Sequence, residues 1–234
     1  MIKVYELVTK KGGVSLSPFV VAAELFLKHK GLEFESIPLT FVEVASTIKE
    51  VTGGKWDKVP TVVFPNGDIV FDSPEVAKYL DEQYPENPLN PNNSDLDGLI
   101  QDYNTNVAPN AFRSAIDDLF SLLDDENQKY FRESREERFN KKFEEISGNR
   151  ETNIQQYYAG LKRIDDVLSA TKFLNGDKPL IHDYTLASRI QFFRTVSPRT
   201  YEELILNNPN ENFKRWTKDM DKVLNGYLGK RPTL

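Results

Sequence analysis

The amino-acid sequence predicts an α+β protein of two domains: a small mixed sheet covered by helices over residues 1–85, a linker over 86–95, and an all-helical domain over 96–234. Three observations carry this expectation. Up to Pro85, short β-type runs alternate with helical ones. Residues 85–95 (Pro-Glu-Asn-Pro-Leu-Asn-Pro-Asn-Asn-Ser-Asp) hold three prolines and four asparagines, a composition that excludes helix and central strand. Beyond them come helix-length segments at about 95–124, 126–147, 150–171, 183–196 and 211–226, with few strand signals.

The elements of the first domain follow in order. Ile2–Val8 has strand character and ends in a loop holding Gly12 and Gly13. Ser17 to Lys30 carries apolar residues on most of a helix surface and stops at Gly31, a good C-terminal cap. Phe34–Leu39 reads as a second strand, and Phe41–Val51 as a weaker helix ending near Gly53-Gly54. Thr61–Phe64 and Ile69–Phe71 flank Asn66-Gly67, the signature of a hairpin. Ser73–Tyr84 is helical and is halted by Pro85. The order βαβ, a further helix, then ββα is that of a thioredoxin-type domain.

Composition narrows the function. Hydrophobic residues make up 39% and charged ones 28%, enough for a core and against whole-chain disorder. Thirty basic against 36 acidic side chains leave a net charge of −6, and no basic run exceeds Lys141-Lys142, so nucleic acid is not an expected partner. With no cysteine, the chain has no thiolate nucleophile, disulfide, cysteine-based zinc site or iron–sulfur cluster of its own. Two histidines, His29 and His182, argue against a histidine-rich metal site or a Ser-His-Asp hydrolase. Ile2–Leu7 is interrupted by charges and is not a signal peptide, and no stretch approaches the roughly 20 apolar residues of a membrane span. The expected setting is intracellular.

Three local features carry the chemistry. Ser17-Pro18 opens the first helix, with serine as N-cap and proline at the first helical position. Asp72-Ser73-Pro74-Glu75 opens the third helix in the same manner. Val59-Pro60 stands before the first hairpin strand, where proline leaves backbone groups free for another chain and a cis bond is accommodated. Each alone is ordinarily a cap or an edge device. On this element order they bring two helix N-termini and an unpaired edge together, a face suited to an extended peptide bearing carboxylates and a thiolate.

Ser17-Pro18, Val59-Pro60 and Asp72-Ser73, in that order and spacing, resemble the glutathione-binding signature of cytosolic glutathione transferases. Within that superfamily, Leu16-Ser17-Pro18-Phe19, Leu27-Lys28-His29-Lys30-Gly31, Thr52-Gly53-Gly54, Asp81-Glu82-Gln83-Tyr84-Pro85, Tyr130–Glu136 and Lys172–Gly176 are similar to the β-etherase-like class of fungi and lignin-degrading bacteria. The resemblance spans nearly the whole chain and is strongest before Pro85. It implies the glutathione transferase fold, a thioredoxin-like N-terminal domain joined to a helical one. It also implies glutathione as the bound cosubstrate, a hydrophobic electrophile as second substrate (aryl ethers or organic hydroperoxides among them), a cytoplasmic location and a homodimer.

By the same resemblance, Ser17 activates the glutathione sulfur, with Ser15 as the alternative or second donor. Val59, ahead of Pro60, pairs its main chain with the cysteinyl unit, and Ser73 holds the γ-glutamyl carboxylate. Asp72 faces the amino group and Lys58 the glycyl carboxylate, although Lys58 reads equally as a solvated lysine. Trp56 either lines the site or packs its loop. The lack of cysteine argues against the superfamily's disulfide-reducing classes. The family's Ser/Thr-x-x-Asp cap is here Leu180-Ile181-His182-Asp183, with leucine in place of the hydroxyl residue and His182 read as structural. Asn106, Phe112, Ile116 and Phe120 stand at helical spacing, either facing the cleft or in the core. Arg132 and Arg135 are candidates for an interface between the domains. The competing function is a non-catalytic carrier of hydrophobic ligands on the same fold (a ligandin), and a third is a thioredoxin-like chaperone without affinity for glutathione.

Overall fold

The computed structural model describes residues 1–234. Strands β1 (Ile2–Leu7), β2 (Phe34–Leu39), β3 (Thr61–Val63) and β4 (Ile69–Phe71) form one sheet in the order β2-β1-β3-β4. β1 and β2 run parallel with Ile2 opposite Phe34, and β3 is antiparallel to both of its neighbours. The parallel pair requires a crossover, supplied by α1 (Pro18–His29). Val20 to Leu27 of α1 are all buried, because the helix is covered by its own sheet and α3 (Ser73–Gln83) on one side and by a helix of the second half on the other. α2 (Phe41–Val51) flanks the sheet, and the Glu43 carboxylate accepts the Thr40 N–H at 2.9 Å to fix its first turn. Between β3 and β4 the chain reverses at Gly67, whose φ of 93° is open to glycine at no steric cost.

Residues 84–93 contain no helix or strand, yet they do not hang free. Lys30, its side chain 1% exposed, donates to the Tyr84 and Glu86 carbonyls at 2.7 and 3.2 Å and pairs with Asp81 at 2.7 Å. Asp81 in turn accepts the Leu89 and Asn90 N–H groups at 2.8 and 2.9 Å. His29 Nε2 lies 3.0 Å from the Asn87 carbonyl, which can only accept, so Nε2 carries the proton and Nδ1 accepts from the Tyr184 hydroxyl at 2.9 Å. Burial pushes the pKa of His29 down, in keeping with a neutral ring.

The second half is helical throughout: α4 (Ser94–Asp102), a π turn over Tyr103–Val107, α5 (Ala108–Ser121), α6 (Asp125–Phe139), α7 (Phe143–Ile146), α8 (Arg150–Gly160), α9 (Lys162–Ala170), α10 (Ile181–Val196), α11 (Pro198–Tyr201), a second π turn over Glu202–Leu206, α12 (Glu211–Met220) and α13 (Val223–Lys230). Twelve of the sixteen residues of α10 are buried, so this helix runs through the middle of the molecule and meets α1 directly. Asp183, fully buried at its start, accepts from the main-chain N–H groups of Leu174 (2.8 Å) and Leu180 (3.2 Å), from Asn175 Nδ2 (3.0 Å) and from Trp216 Nε1 (2.8 Å). The carboxylate thus serves as half of a capping box although Leu180 offers no hydroxyl.

The mixed sheet followed by helices agrees with the sequence expectation, and the departures have physical causes. The segment expected as one helix over 95–124 carries a π turn where Pro109 removes an N–H and crowds the carbonyl four residues before it, and Ala108 N–H donates to Tyr103 O in compensation. The 126–147 segment breaks at Asn140, in the left-handed region at φ 49°. The 211–226 segment ends at Met220, and Leu224, Asn225 and Gly226 are left-handed. Residues 198–206 are also helical, outside the segments that the sequence predicts. Ser197-Pro198 is the same start signal as Ser17-Pro18, and the Ser197 hydroxyl accepts the Thr200 N–H at 3.1 Å.

Candidate active site

Backbone pairing draws the three sequence features to the C-terminal end of β1. Val8 and Ser15 form an isolated bridge, and Leu16 N–H donates to Leu7 O at 3.0 Å, so α1 begins beside the last residue of that strand. Thr61 is opposite Tyr5, which carries the preceding residues, Val59 and Pro60, past the same end of β1. The Pro60 carbonyl accepts the Asp72 N–H at 3.2 Å and thereby docks the start of α3 onto this segment. The Val59-Pro60 bond is cis.

Ser17 is buried and is the N-cap of α1. Its Oγ accepts the Val20 N–H at 3.4 Å, a long bond, and its own O–H makes none within the protein, so one donor and the positive end of the helix face the same place. Ser73 is buried as the first residue of α3, and its N–H donates to Asp72 Oδ1 at 2.9 Å. Asp72 holds φ at 69°, a region costly for a residue with a Cβ, and residues held in such strain cluster at functional sites. Neither main-chain group of Val59, itself half-buried, bonds within the protein. Lys58 is exposed with Nζ 5.5 Å from the Trp56 ring, and that ring stacks on Phe71 at 5.1 Å, its Nε1 buried and without a partner.

Ser15 is drawn into a second cluster that sequence reasoning missed. Its Oγ accepts from Arg231 Nη2 at 3.1 Å. Arg231 also contacts Glu24, a buried carboxyl in the middle of α1 that accepts the Tyr227 hydroxyl at 3.0 Å. Burial pushes the Glu24 carboxyl up to about 7 in spite of the guanidinium beside it. Arg231, although burial opposes its charge, is held above the ordinary arginine value by the Glu24 carboxylate. The available signal was Glu24 itself, a lone charge inside Val-Val-Ala-Ala-Glu-Leu-Phe-Leu. Its partners lie some two hundred residues away in sequence, and no local pattern points to them.

Arg189 was missed as well. From α10 its Cζ reaches 4.0 Å from the ring centre of Phe19, two residues after Ser17, and its Nε donates to Asn104 Oδ1 at 3.2 Å in the first π turn. The remaining residues singled out in the sequence fall elsewhere. Ile116 is fully buried in the helical core, Phe112 and Phe120 are half-buried and pack against it, on Phe139 and Phe192 and on Phe143, while Asn106 is exposed and donates to Asp102 at 2.7 Å. His182 sits 2.8 Å from Asp97 and 3.1 Å from Asn175. Arg135 lies over Phe131, which packs edge-on against Phe41 of α2. Arg132 lies over Phe120 and Phe143 and bonds Glu144.

No group of three or more His, Asp or Glu side chains is placed to hold a metal ion, and no helix is long and apolar enough to cross a membrane.

Comparison with known proteins identifies the family. The sequence profile of the glutathione S-transferase N-terminal domain matches residues 16–83, and that of the glutathione S-transferase C-terminal domain matches residues 99–223. The glutathione S-transferase-like protein ustS of Aspergillus flavus is 22% identical over 219 residues, covering 82% of this chain and 79% of its own length. Among solved structures, glutathione transferase GSTFuA3 of Phanerochaete chrysosporium shares the fold with a TM-score of 0.81 at 23% identity, over 93% of this chain and 95% of that one. A glutathione S-transferase of Ceriporiopsis subvermispora, solved in complex with glutathione, does so with a TM-score of 0.82 at 19% identity, over 96% and 98%. With both of its halves matched in order, and the thioredoxin-like and helical parts joined as in these structures, the chain belongs to the glutathione S-transferase family.

Proposed function

We propose that this protein is a serine-type transferase that binds glutathione at the end of β1 and keeps its sulfur ionised for attack on a hydrophobic electrophile. The observation that carries the reading is the unpaired main chain of Val59, set between two serine-headed helix N-termini. An extended tripeptide adds to such a backbone as a further strand. In this reading Val59, in front of Pro60, pairs with the cysteinyl unit, Ser73 and the first amides of α3 hold the γ-glutamyl carboxylate, Asp72 faces the amino group, and Lys58 meets the glycyl carboxylate. The sulfur then lies at Ser17.

The energetics suit the task. A free thiol with a pKa of about 8.5 is only a few per cent ionised at neutral pH, and lowering it by about two units takes about 2.7 kcal/mol. One hydrogen bond to a charged sulfur supplies about 1.5–3 kcal/mol, and a helix N-terminus adds about 0.3–1. No general base on the protein is required. The electrophile, with aryl ethers of the etherase type and organic hydroperoxides as its candidate classes, meets the sulfur from the side of the helical half, and the enzyme works as a cytoplasmic homodimer.

A second reading of the donor is favoured by one contact. Arg231 donates to the Ser15 hydroxyl and so polarises its O–H, which makes Ser15 the competing donor to the sulfur. Ultraviolet titration of the bound thiolate separates the two. With Ser17 as donor, Ser17→Ala raises the midpoint by one to two pH units and lowers turnover, and Ser15→Ala does neither; the reverse pattern transfers the role to Ser15. Ser73→Ala should weaken glutathione binding more than turnover at saturation. Glutathione binding with no turnover on any aromatic electrophile or hydroperoxide, insensitive to both serine substitutions, would leave the carrier function in place of the enzyme.

A further inference from the structure

Arg189 is the one guanidinium at the meeting of α1, α3 and the first π turn whose outer nitrogens the protein does not use. Its single hydrogen bond runs from Nε to Asn104, and one face is covered by Phe19, which is itself 47% exposed. Nη1 is buried with no partner, and Nη2, which also makes no protein bond, reaches solvent. Charged donors are rarely left so, because an unpaired buried charge is costly and is normally met by a carboxylate or by hydrogen bonds. The nearest acid, Asp72, is close enough to favour the charged form, but its carboxylate is turned to the Ser73 N–H and does not bond the arginine. Burial brings Arg189 down to about 10, so it remains a cation at neutral pH.

A guanidinium clamped by a ring on its face and an amide at Nε keeps Nη2 as its one open donor, a fixed cationic N–H suited to a carboxylate oxygen. Asp72 and Ser73 stand at the γ-glutamyl end of the peptide in the reading above, and Arg189, against Phe19 at the head of α1 and within range of the Asp72 charge, meets the same seam from the helical half. We propose that Arg189 is a second anchor for the α-carboxylate of the γ-glutamyl unit, so that α10 completes the glutathione site across the seam between the two halves. This assignment rests on glutathione being the bound peptide and deepens that reading: Ser73 holds the carboxylate from one side and Arg189 from the other.

The test pairs a change in the protein with a change in the ligand. Calorimetric titration is run with glutathione and with 4-aminobutanoyl-cysteinyl-glycine, which lacks only the α-carboxylate, on the wild-type chain and on Arg189→Gln and Arg189→Lys. Arg189→Gln should weaken glutathione about 10- to 100-fold, as expected for one charge-assisted contact, and leave the decarboxylated analogue within about twofold. Arg189→Lys, which keeps the charge but not the reach of the guanidinium, should recover part of the loss for glutathione only. Equal weakening of both ligands, or no weakening of glutathione, overturns the assignment while the glutathione reading stands. A wild-type chain that binds neither ligand overturns both. Arg189→Lys keeps a cation at the seam and so provides a folded comparison where Arg189→Gln does not fold.

Discussion

Replacing Arg231 by methionine tests how a carboxyl in the middle of α1 is tolerated. Glu24 is 1% exposed and touches Arg231 and the Tyr227 hydroxyl. Its carboxyl titrates near 7 in the folded chain against an ordinary value of 4.5, so the native state holds the proton more tightly than the unfolded chain does. The stability that comes from the protonated form is complete below about 4.5 and is lost as pH rises to about 7, about 3 kcal/mol in all, after which the curve levels. Without the guanidinium, nothing cationic opposes burial, and the carboxyl titrates higher still. Arg231→Met should therefore go on losing about 1.4 kcal/mol per pH unit above pH 7, where the wild type has levelled. Glu24→Gln removes the titrating group, and its difference from the wild type isolates this contribution from every other ionisable group. Urea unfolding followed by circular dichroism between pH 4.5 and 8.5 reads all three curves. Identical slopes for wild type and Glu24→Gln below pH 7, or an Arg231→Met curve parallel to wild type above it, would refute the account.

Two further substitutions probe the helical half. A Cβ added at Gly160 would come within 2.5 Å of Val107 Cγ2 and 3.0 Å of Cγ1, and valine has little freedom to turn aside, so Gly160→Ala should cost about 1–3 kcal/mol in denaturant unfolding. Trimming the obstacle in Gly160→Ala/Val107→Ala should recover most of the alanine penalty relative to Val107→Ala alone. Asp183→Ala strands four donors (the Leu174 and Leu180 amides, Asn175 and the Trp216 indole) and should cost about 3–5 kcal/mol, whereas Asp183→Asn, which keeps one of the two acceptor oxygens and so two of the four bonds, should cost less by the same assay.

The sheet half was legible because its signals are local. Ser-Pro heads a helix, Asn-Gly reverses a hairpin and a Pro-Asn-rich run ends the pattern, each within a few residues. The same logic applied at Ser197-Pro198 would have located α11. Where the outcome depends on partners far away in sequence, local pattern fails. The need for a glycine at 160 shows only once Val107 is seen against it. Phe112 and Phe120 have spacing equally compatible with a cleft and a core, and only the rings of Phe192 and Phe143 from distant helices show them half-buried against the core. Arg189 and Arg231 reach the start of α1 from about 170 and 215 positions away, and their own surroundings in sequence carry no mark of it.

These two arginines bear on how much the site must supply. The chain has no cysteine, so in the proposed reaction the nucleophile arrives with the peptide, and the protein contributes only a field and a position. A hydroxyl and one helix terminus together reach the roughly 2.7 kcal/mol that ionisation at neutral pH takes. Arg231 is then unnecessary to the thiolate, and Arg231→Met should leave its titration midpoint nearly where Ser15→Ala does, however much stability is lost. A midpoint that moves with Arg231 while Ser17→Ala leaves it in place would mean that the field reaches the sulfur through Ser15. The opening turn of α1 would then be scaffold, and the C-terminal segment around Tyr227 and Arg231 would be part of the site rather than its fastening.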